Sequence, residues 1–441
     1  MVAIISRASL LAQAAASVST AFMTTSSCMM TTTIGMLHPI DATSSSSSSS
    51  PSSSISTTST SNDPLLLRVA RGETNNVERR PPVWMMRQAG RHMESYRNLI
   101  GKYPTFRQRS EIYEVALEIS LQPYYKYGVD GVIVFSDILT PLPTMGIDFD
   151  ITESGSISIE PIRTQEDFQR RLKRMTNYEN CVVGKVLRGI REAVGNKATV
   201  IGFIGLPYTI STYLVEGKTA STTGFQEMKN LQKNNPQLLH SMLCLLSDNL
   251  IDYACYQIEY GGAQLLQVFD SWAGHLNDVE YETFALPYQQ RVIQGIKQRF
   301  PKIPIIIYMA PAIHSKEGKR IYQLCKSNAD IISIDHTVDI STAKDIILQY
   351  NNECGTSTTN KVKALQGNFD PQLLRDGSFE EIKVETERIL SSMVQESSGS
   401  AGERRLQRLG HIMNLGHGIL KDTPEEKAAF FVKTVQEYKY Y

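Results

Sequence analysis

From Pro82 to the C-terminus, short apolar runs alternate with longer stretches in which apolar residues recur every three or four positions. Runs too brief for helices suit buried strands, and the longer period suits helices packed against them. The strand candidates are Val83–Met86, Gly131–Phe135, Thr199–Ile204, Gln264–Phe269, Pro304–Met309, Ile331–Ile334, Ala364–Gly367 and His411–Leu415. Helix starts are marked by the capping boxes Thr164-x-x-Asp167 and Ser378-x-x-Glu381, and by Thr423-Pro424, which places proline at a first helical position. Leu239, Leu243, Leu246 and Leu250 line one face of a helix expected from about Gln237 to Tyr260, a face that reads as packing core. Eight strands with helical connections in about 360 residues predict a single-domain (β/α)8 barrel. A doubly wound open sheet is the alternative, but no GxGxxG follows a strand.

Residues 1–63 do not share this pattern. Up to residue 62 they hold a serine run, Ser44–Ser50, one acid (Asp41), one strong base (Arg7) and no lysine. Such a segment cannot bury enough apolar surface to offset its ordering entropy, so it is expected to be a disordered leader ahead of a catalytic domain over 64–441. A hydroxyl-rich, acid-poor N-terminus fits organelle targeting. A single arginine favours a plastid over a mitochondrion, with the cytoplasm as the bland alternative; Val18–Phe22 (VSTAF) resembles the Ala-Phe cleavage region of bipartite plastid leaders.

Composition narrows the function classes. Forty-five basic residues balance forty-five acidic ones, so net charge calls for neither nucleic acid nor an anionic surface. No run of eighteen apolar residues suggests a membrane span. The six cysteines form no CxxC pair and no zinc-spaced cluster, so they read as reduced packing residues and no metal is expected.

In a barrel the chemistry sits where strands end at the C-terminal face. Here the strands run into Arg87-Gln88-Ala89-Gly90-Arg91, Ser136-Asp137, Gly205–Thr209, Asp270-Ser271-Trp272 and Gly416-His417-Gly418. Arg87 and Arg91 can turn toward a common point if the loop bends at Gly90, and each guanidinium fits a carboxylate with two parallel hydrogen bonds. Away from a strand end the same pair would be a solvated helix face. Asp137 follows an apolar run, and the arginines are expected to keep it ionised and lower its pKa; a structural ion pair or cap is the plainer alternative. His417, between two glycines and before a helix start, suits an anionic group, although a lone histidine is often only a core residue. Tyr213 and Ser271 are weaker signals, because such groups near strand ends often just satisfy backbone.

The blocks PVWMMRQAGR (82–91), FSDILTPLP (135–143), GFIGLPYTISTYLVEG (202–217), QVFDSWAG (267–274), LQGNFDP (365–371) and NLGHGIL (414–420) resemble, in order, those of the uroporphyrinogen decarboxylases. The stretch 106–122, FRQRSEIYEVALEISLQ, is most similar to the plastid and cyanobacterial branch. The resemblance implies decarboxylation of the acetate arms of an octacarboxylate porphyrinogen, with no cofactor, in a homodimer. It places the family's substrate loop on Arg87, Gln88, Ala89, Gly90 and Arg91, its pyrrole-binding aspartate on Asp137, and its further polar contacts on Tyr213, Ser271 and His417. Asp137, Arg87, Tyr213 and His417 are the implied catalytic set. Tyr208 and His336 stand where the family usually has tryptophan, and Lys421 where it often has proline. Two other readings compete: a corrinoid or thiol methyltransferase, which would need a zinc site that no HxC pair supplies, and a tetrapyrrole carrier without turnover, which would be expected to lose one of Arg87, Arg91, Asp137, Tyr213 or His417.

Overall fold

The computed structural model describes residues 62–439 except 74–79, 153–155, 177, 179–180, 221–222, 311–316, 356–360 and 394–408. The chain divides into a unit over Met1–Ser59 and a compact unit over Thr60–Tyr441. The leader expected over 1–63, and Cys28 with it, lies almost wholly outside the described residues.

Nine strands occur among the described residues: β1 (Gly131–Ile133), β2 (Phe149–Ile151), β3 (Ile157–Ile159), β4 (Thr199–Gly205), β5 (Leu265–Phe269), β6 (Ile305–Tyr308), β7 (Ile331–Ser333), β8 (Ala364–Gln366) and β9 (Gly410–Ile412). Seven of them pair in parallel in the order β1-β4-β5-β6-β7-β8-β9, with helices between successive strands. These match seven of the expected runs, with no end more than three residues off. β2 and β3 form a separate antiparallel hairpin that the apolar pattern did not mark.

The eighth expected strand, Val83–Met86, is reduced to one bridge, Val83 to Met413. The physical reason is where its backbone donors go. Pro82 has no N–H; the N–H of Val83 donates to the Asp130 carboxylate at 2.8 Å, that of Met85 to Gln88 Oε1 at 3.1 Å, and that of Met86 to Asn414 Oδ1 at 2.8 Å. Side chains have replaced the ladder except at Trp84, whose N–H donates to the Met413 carbonyl at 3.3 Å. The segment nevertheless closes the barrel: Met413 N–H donates to the Pro82 carbonyl on one side, and Asp130 N–H donates to the Val83 carbonyl on the other, both at 2.8 Å. Arg80 grips the Asp130 carboxylate with two hydrogen bonds of 2.8 and 2.9 Å at this seam.

One linked polar set crosses the barrel interior. Trp84 Nε1 donates to Gln366 Oε1 at 2.9 Å, and Gln366 Nε2 donates to Ser333 Oγ at 2.9 Å and Gln267 Oε1 at 3.3 Å. These hydrogen bonds tie β5, β7 and β8 to Trp84, while Gln267 Nε2 is buried without a partner. Outside, the helix Pro236–Glu259 buries Leu239, Leu243, Leu246 and Leu250 completely against its neighbours, as its stripe predicts. Ser378 forms the full capping box with Glu381, whereas Thr164 accepts from Asp167 N–H and donates its hydroxyl to the Asp167 carboxylate at 2.8 Å. Pro424 caps the last helix, Glu425–Glu437, and does not occupy its first turn. The described cysteines are free thiols. No helix among the described residues is long and apolar enough to cross a membrane.

Candidate active site

The loop after the seam segment begins at Arg87, whose φ of 59° is left-handed for a residue with a side chain. It is held there from both sides. Ile419 N–H donates to the Met86 carbonyl at 2.9 Å, and Gln88, fully buried, turns its amide inward to the Gly131 carbonyl at 3.0 Å as well as to Met85. The bend expected at Gly90 is therefore made at Arg87, and Gly90 is not among the residues of positive φ. Ala89 and Gly90 are half-buried behind the exposed Arg87.

Arg87 and Arg91 do not share a target. Arg87 lies in the field of Asp137, Tyr213, Tyr308 and His417. Arg91 instead lines a neighbouring hollow of about 920 Å³ with His92, Arg97, Lys126, Lys421 and Glu425.

Asp137 follows β1 by four residues. Its Oδ1 accepts from Leu139 N–H at 2.9 Å, and its own N–H donates to Thr140 Oγ1 at 3.1 Å. Withdrawal from water raises its pKa above the ordinary carboxylate range, outweighing the Leu139 hydrogen bond and the Arg87 charge, which both pull it down. The expectation of a lowered value is corrected: the arginine's effect has the expected sign, but a single guanidinium does not offset the desolvation.

Tyr213 projects from the helix Pro207–Glu216 that follows β4. Burial, then the Asp137 charge, pushes its phenol up to about 12, so it stays protonated as a donor. Its ring stands edge-on to Trp272, centroids 5.9 Å apart. Ser271, half-buried, opens the 3-10 turn Ser271–His275 after β5.

His417 sits between two glycines that could not be other residues without movement. A Cβ on Gly416 would come 2.1 Å from His336 N, and one on Gly418 would come 2.4 Å from Arg87 Cδ. The His417 ring faces the open mouth, yet the crowding around it, then the Arg87 charge, lowers its pKa and favours the neutral imidazole. His336 faces Asp370 at 3.9 Å, and Asn368 Nδ2 braces its loop by donating to the carbonyls of Asp335 (2.8 Å) and Val338 (2.7 Å).

Arg87, Asp137, Tyr213 and His417 thus meet at one mouth at the C-terminal ends of the strands. Three residues of this mouth were not singled out from sequence. Tyr308, the last residue of β6, donates its hydroxyl to the Gly416 carbonyl at 3.2 Å. Asn414 ties Met86 to Leu415. Asp270, completely buried, joins the Tyr213 helix to β5. A polar residue at or just past a strand's end was the available signal for each.

Residues 60–438 match the family model for uroporphyrinogen decarboxylase (URO-D). The uroporphyrinogen decarboxylase of Nostoc punctiforme is 44% identical over 381 residues, covering 86% of this chain and 98% of that protein. That of a Picosynechococcus species is 45% identical over 379 residues, covering 85% and 97%. Among solved structures, a methyltransferase from Methanosarcina mazei superposes with a TM-score of 0.62 at 17% identity over 85% of this chain and 99% of its own, a likeness of fold alone. With the family model matched over residues 60–438 and almost the whole length of such relatives covered, the chain belongs to the uroporphyrinogen decarboxylase family.

Proposed function

We propose that the chain decarboxylates uroporphyrinogen III to coproporphyrinogen III, a carboxy-lyase reaction of porphyrin synthesis, using residues of the barrel mouth and no cofactor. Each of four acetate arms becomes a methyl: one carbon–carboxylate bond breaks, carbon dioxide leaves, and one proton replaces it. A pyrrole protonated on carbon carries positive charge and takes up the electron pair of the breaking bond. A fixed carboxylate beside the pyrrole N–H groups stabilises that cationic state more than the neutral ground state, which is what accelerates a reaction.

Asp137 is assigned that place. The observation that carries the reading is its place just past the end of β1, where Arg87, Tyr213 and His417 converge, and burial there raises its pKa. An underhydrated carboxylate gains most from the N–H donors and the positive charge that the substrate brings. Arg87, Tyr213, Ser271 and neutral His417 hold the acetate and propionate arms, and Arg91 reaches arms extending into the adjoining hollow. Gln88 contributes through the loop's shape, since its own amide is occupied.

The test is product formation from uroporphyrinogen under anaerobic conditions by Asp137→Asn. Loss of at least about a hundredfold in kcat is expected, as for removal of a preorganised charge-stabilising group. Turnover near that of the parent would sink the assignment, and unchanged substrate with intact binding in the parent itself would favour a carrier.

Family likeness supports a homodimer, to be tested by sedimentation. The leader's composition, with cyanobacterial relatives over the barrel, supports plastid import. A fluorescent fusion of residues 1–63 tests that.

A further inference from the structure

Asp270 stands just past the end of β5, completely buried, between the elements that carry Tyr213 and Ser271. Its Oδ1 accepts from the N–H of Thr209 at 3.1 Å and from the Thr209 hydroxyl at 2.7 Å. Thr209 Oγ1 in turn accepts from Trp272 N–H at 3.1 Å. Oδ2 accepts from Gln289 Nε2 at 2.8 Å, and Gln289 Oε1 accepts from the Tyr281 hydroxyl at 2.7 Å.

Thr209 is the third residue of the Pro207–Glu216 helix, so its N–H is one of the donors a helix leaves unpaired at its start. The residue before the helix, Leu206, has no side-chain acceptor, and the cap comes instead from another strand. A carboxylate there also suits the positive end of the helix dipole. Tyr213 follows Thr209 by four residues, one turn along the same face, and rests against Trp272, the other group that Thr209 holds. The carboxylate therefore fixes together the start of the helix and the backbone that carries the indole packed edge-on to the phenol.

We propose that Asp270 is a positioning residue for the decarboxylation: through Thr209 and Trp272 it sets where the Tyr213 hydroxyl stands in the barrel mouth. This rests on the reading that Tyr213 contacts the substrate.

Burial raises the Asp270 pKa to about 6, against the pull of Gln289, Thr209 and, more weakly, Arg320. The titratable and charged groups facing it are Tyr208 on the Tyr213 helix, Tyr281 on the helix Asp278–Phe284, and Arg320 on the helix Glu317–Cys325. All its partners are donors, so a proton on the carboxyl requires the Gln289 amide to turn over and accept it, and the negative charge at the helix start is lost. Acidification through this range loosens the Tyr213 helix.

The experiment compares Asp270→Asn, Thr209→Val, Tyr213→Phe and the Asp270→Asn/Tyr213→Phe double variant, with kcat, KM and the pH profile from uroporphyrinogen turnover. Asp270→Asn is expected to keep its fold, because Gln289 can flip its amide to meet the new N–H donor. Its kcat should fall roughly tenfold to a hundredfold, the scale of an ångström of misplacement, with KM little changed. Its acid limb near pH 6 should flatten relative to the parent. Thr209→Val, which removes only the hydroxyl, should lose kcat in the same direction and by less, and it serves if the Asn variant does not fold. The double variant should be no slower than Tyr213→Phe, since one acts through the other. Independent, multiplying losses in the double variant, or parental kcat and acid limb in Asp270→Asn, would overturn the positioning role. A Tyr213→Phe enzyme with parental kinetics would instead remove the reading of Tyr213 on which it stands.

Discussion

The two glycines around His417 have unequal neighbours, and that separates a functional substitution from a structural one. The Cβ of Gly416→Ala would meet the backbone of Asp335 and His336, which cannot yield without moving the end of β7. The Cβ of Gly418→Ala would meet the side chain of Arg87, which can swing aside. Gly418→Ala is therefore expected to melt close to the parent while kcat/KM falls about tenfold, as when a charged clamp leaves its place. Gly416→Ala is expected to lose several kcal/mol of stability, on the order of other overpacked sites. Thermal melts beside steady-state kinetics decide it; parental kinetics in Gly418→Ala would mean that Arg87 is not held by this contact. At this scale the sequence showed which residues gather but not how. Asp137 and His417 were legible because each lies just past a strand end; Tyr213, in the middle of a helix, was a weak signal that only the family resemblance singled out. The divergence of Arg87 from Arg91 was not, because the turn is made by an arginine at φ 59° and not by the glycine that spacing made obvious. The sign of the Asp137 shift depends on how much water the mouth excludes, which no local pattern carries.

Among the elements, the seam segment Pro82–Met86 has the apolar content of a strand but almost none of its ladder. Its partners come from far along the chain, Asp130 forty-seven residues after Val83 and Asn414 another 328 after Met86. A period-based reading cannot see that such side chains will take the donors, so it extends the strand. The seven other strands were legible because their runs are buried on both faces and interrupted by polar strand ends. Asn414 is the informative member of the seam. Replacing it with alanine strands the N–H groups of Met86 and Leu415 in a dry interior, each at about 1–3 kcal/mol. Urea unfolding should show that loss with an unchanged slope, and kcat/KM should fall as well, because Met86 immediately precedes Arg87. A variant with full activity would show that the seam does not govern the loop.

Across the whole molecule, burial keeps several histidines neutral, and this sets the response to acid. His92 and His411 are both held down to about 4, in each case mainly by burial, and His417 is lowered too. For these groups the native state binds fewer protons than the unfolded chain between about pH 6.5 and 4. Their contribution to stability is thus present above 6.5 and lost as the pH falls through that window. Asp270, raised to about 6, and Asp137, raised, work in the opposite sense, since the native state there holds its proton to higher pH. Three histidines that lose stability in acid stand against two carboxyls that gain it, so the net slope should favour unfolding in acid. His92 is the cleaner probe. Its Nε2 is buried without a partner, its ring stacks on Tyr127 at 6.2 Å, and Glu425 and Arg97 act on it with opposite signs. His92→Phe keeps the ring stacked and removes the titration. Urea denaturation at a series of pH values should show its stability declining less steeply than the parent's from pH 6.5 toward 4. Parallel curves would place the acid sensitivity elsewhere in the barrel.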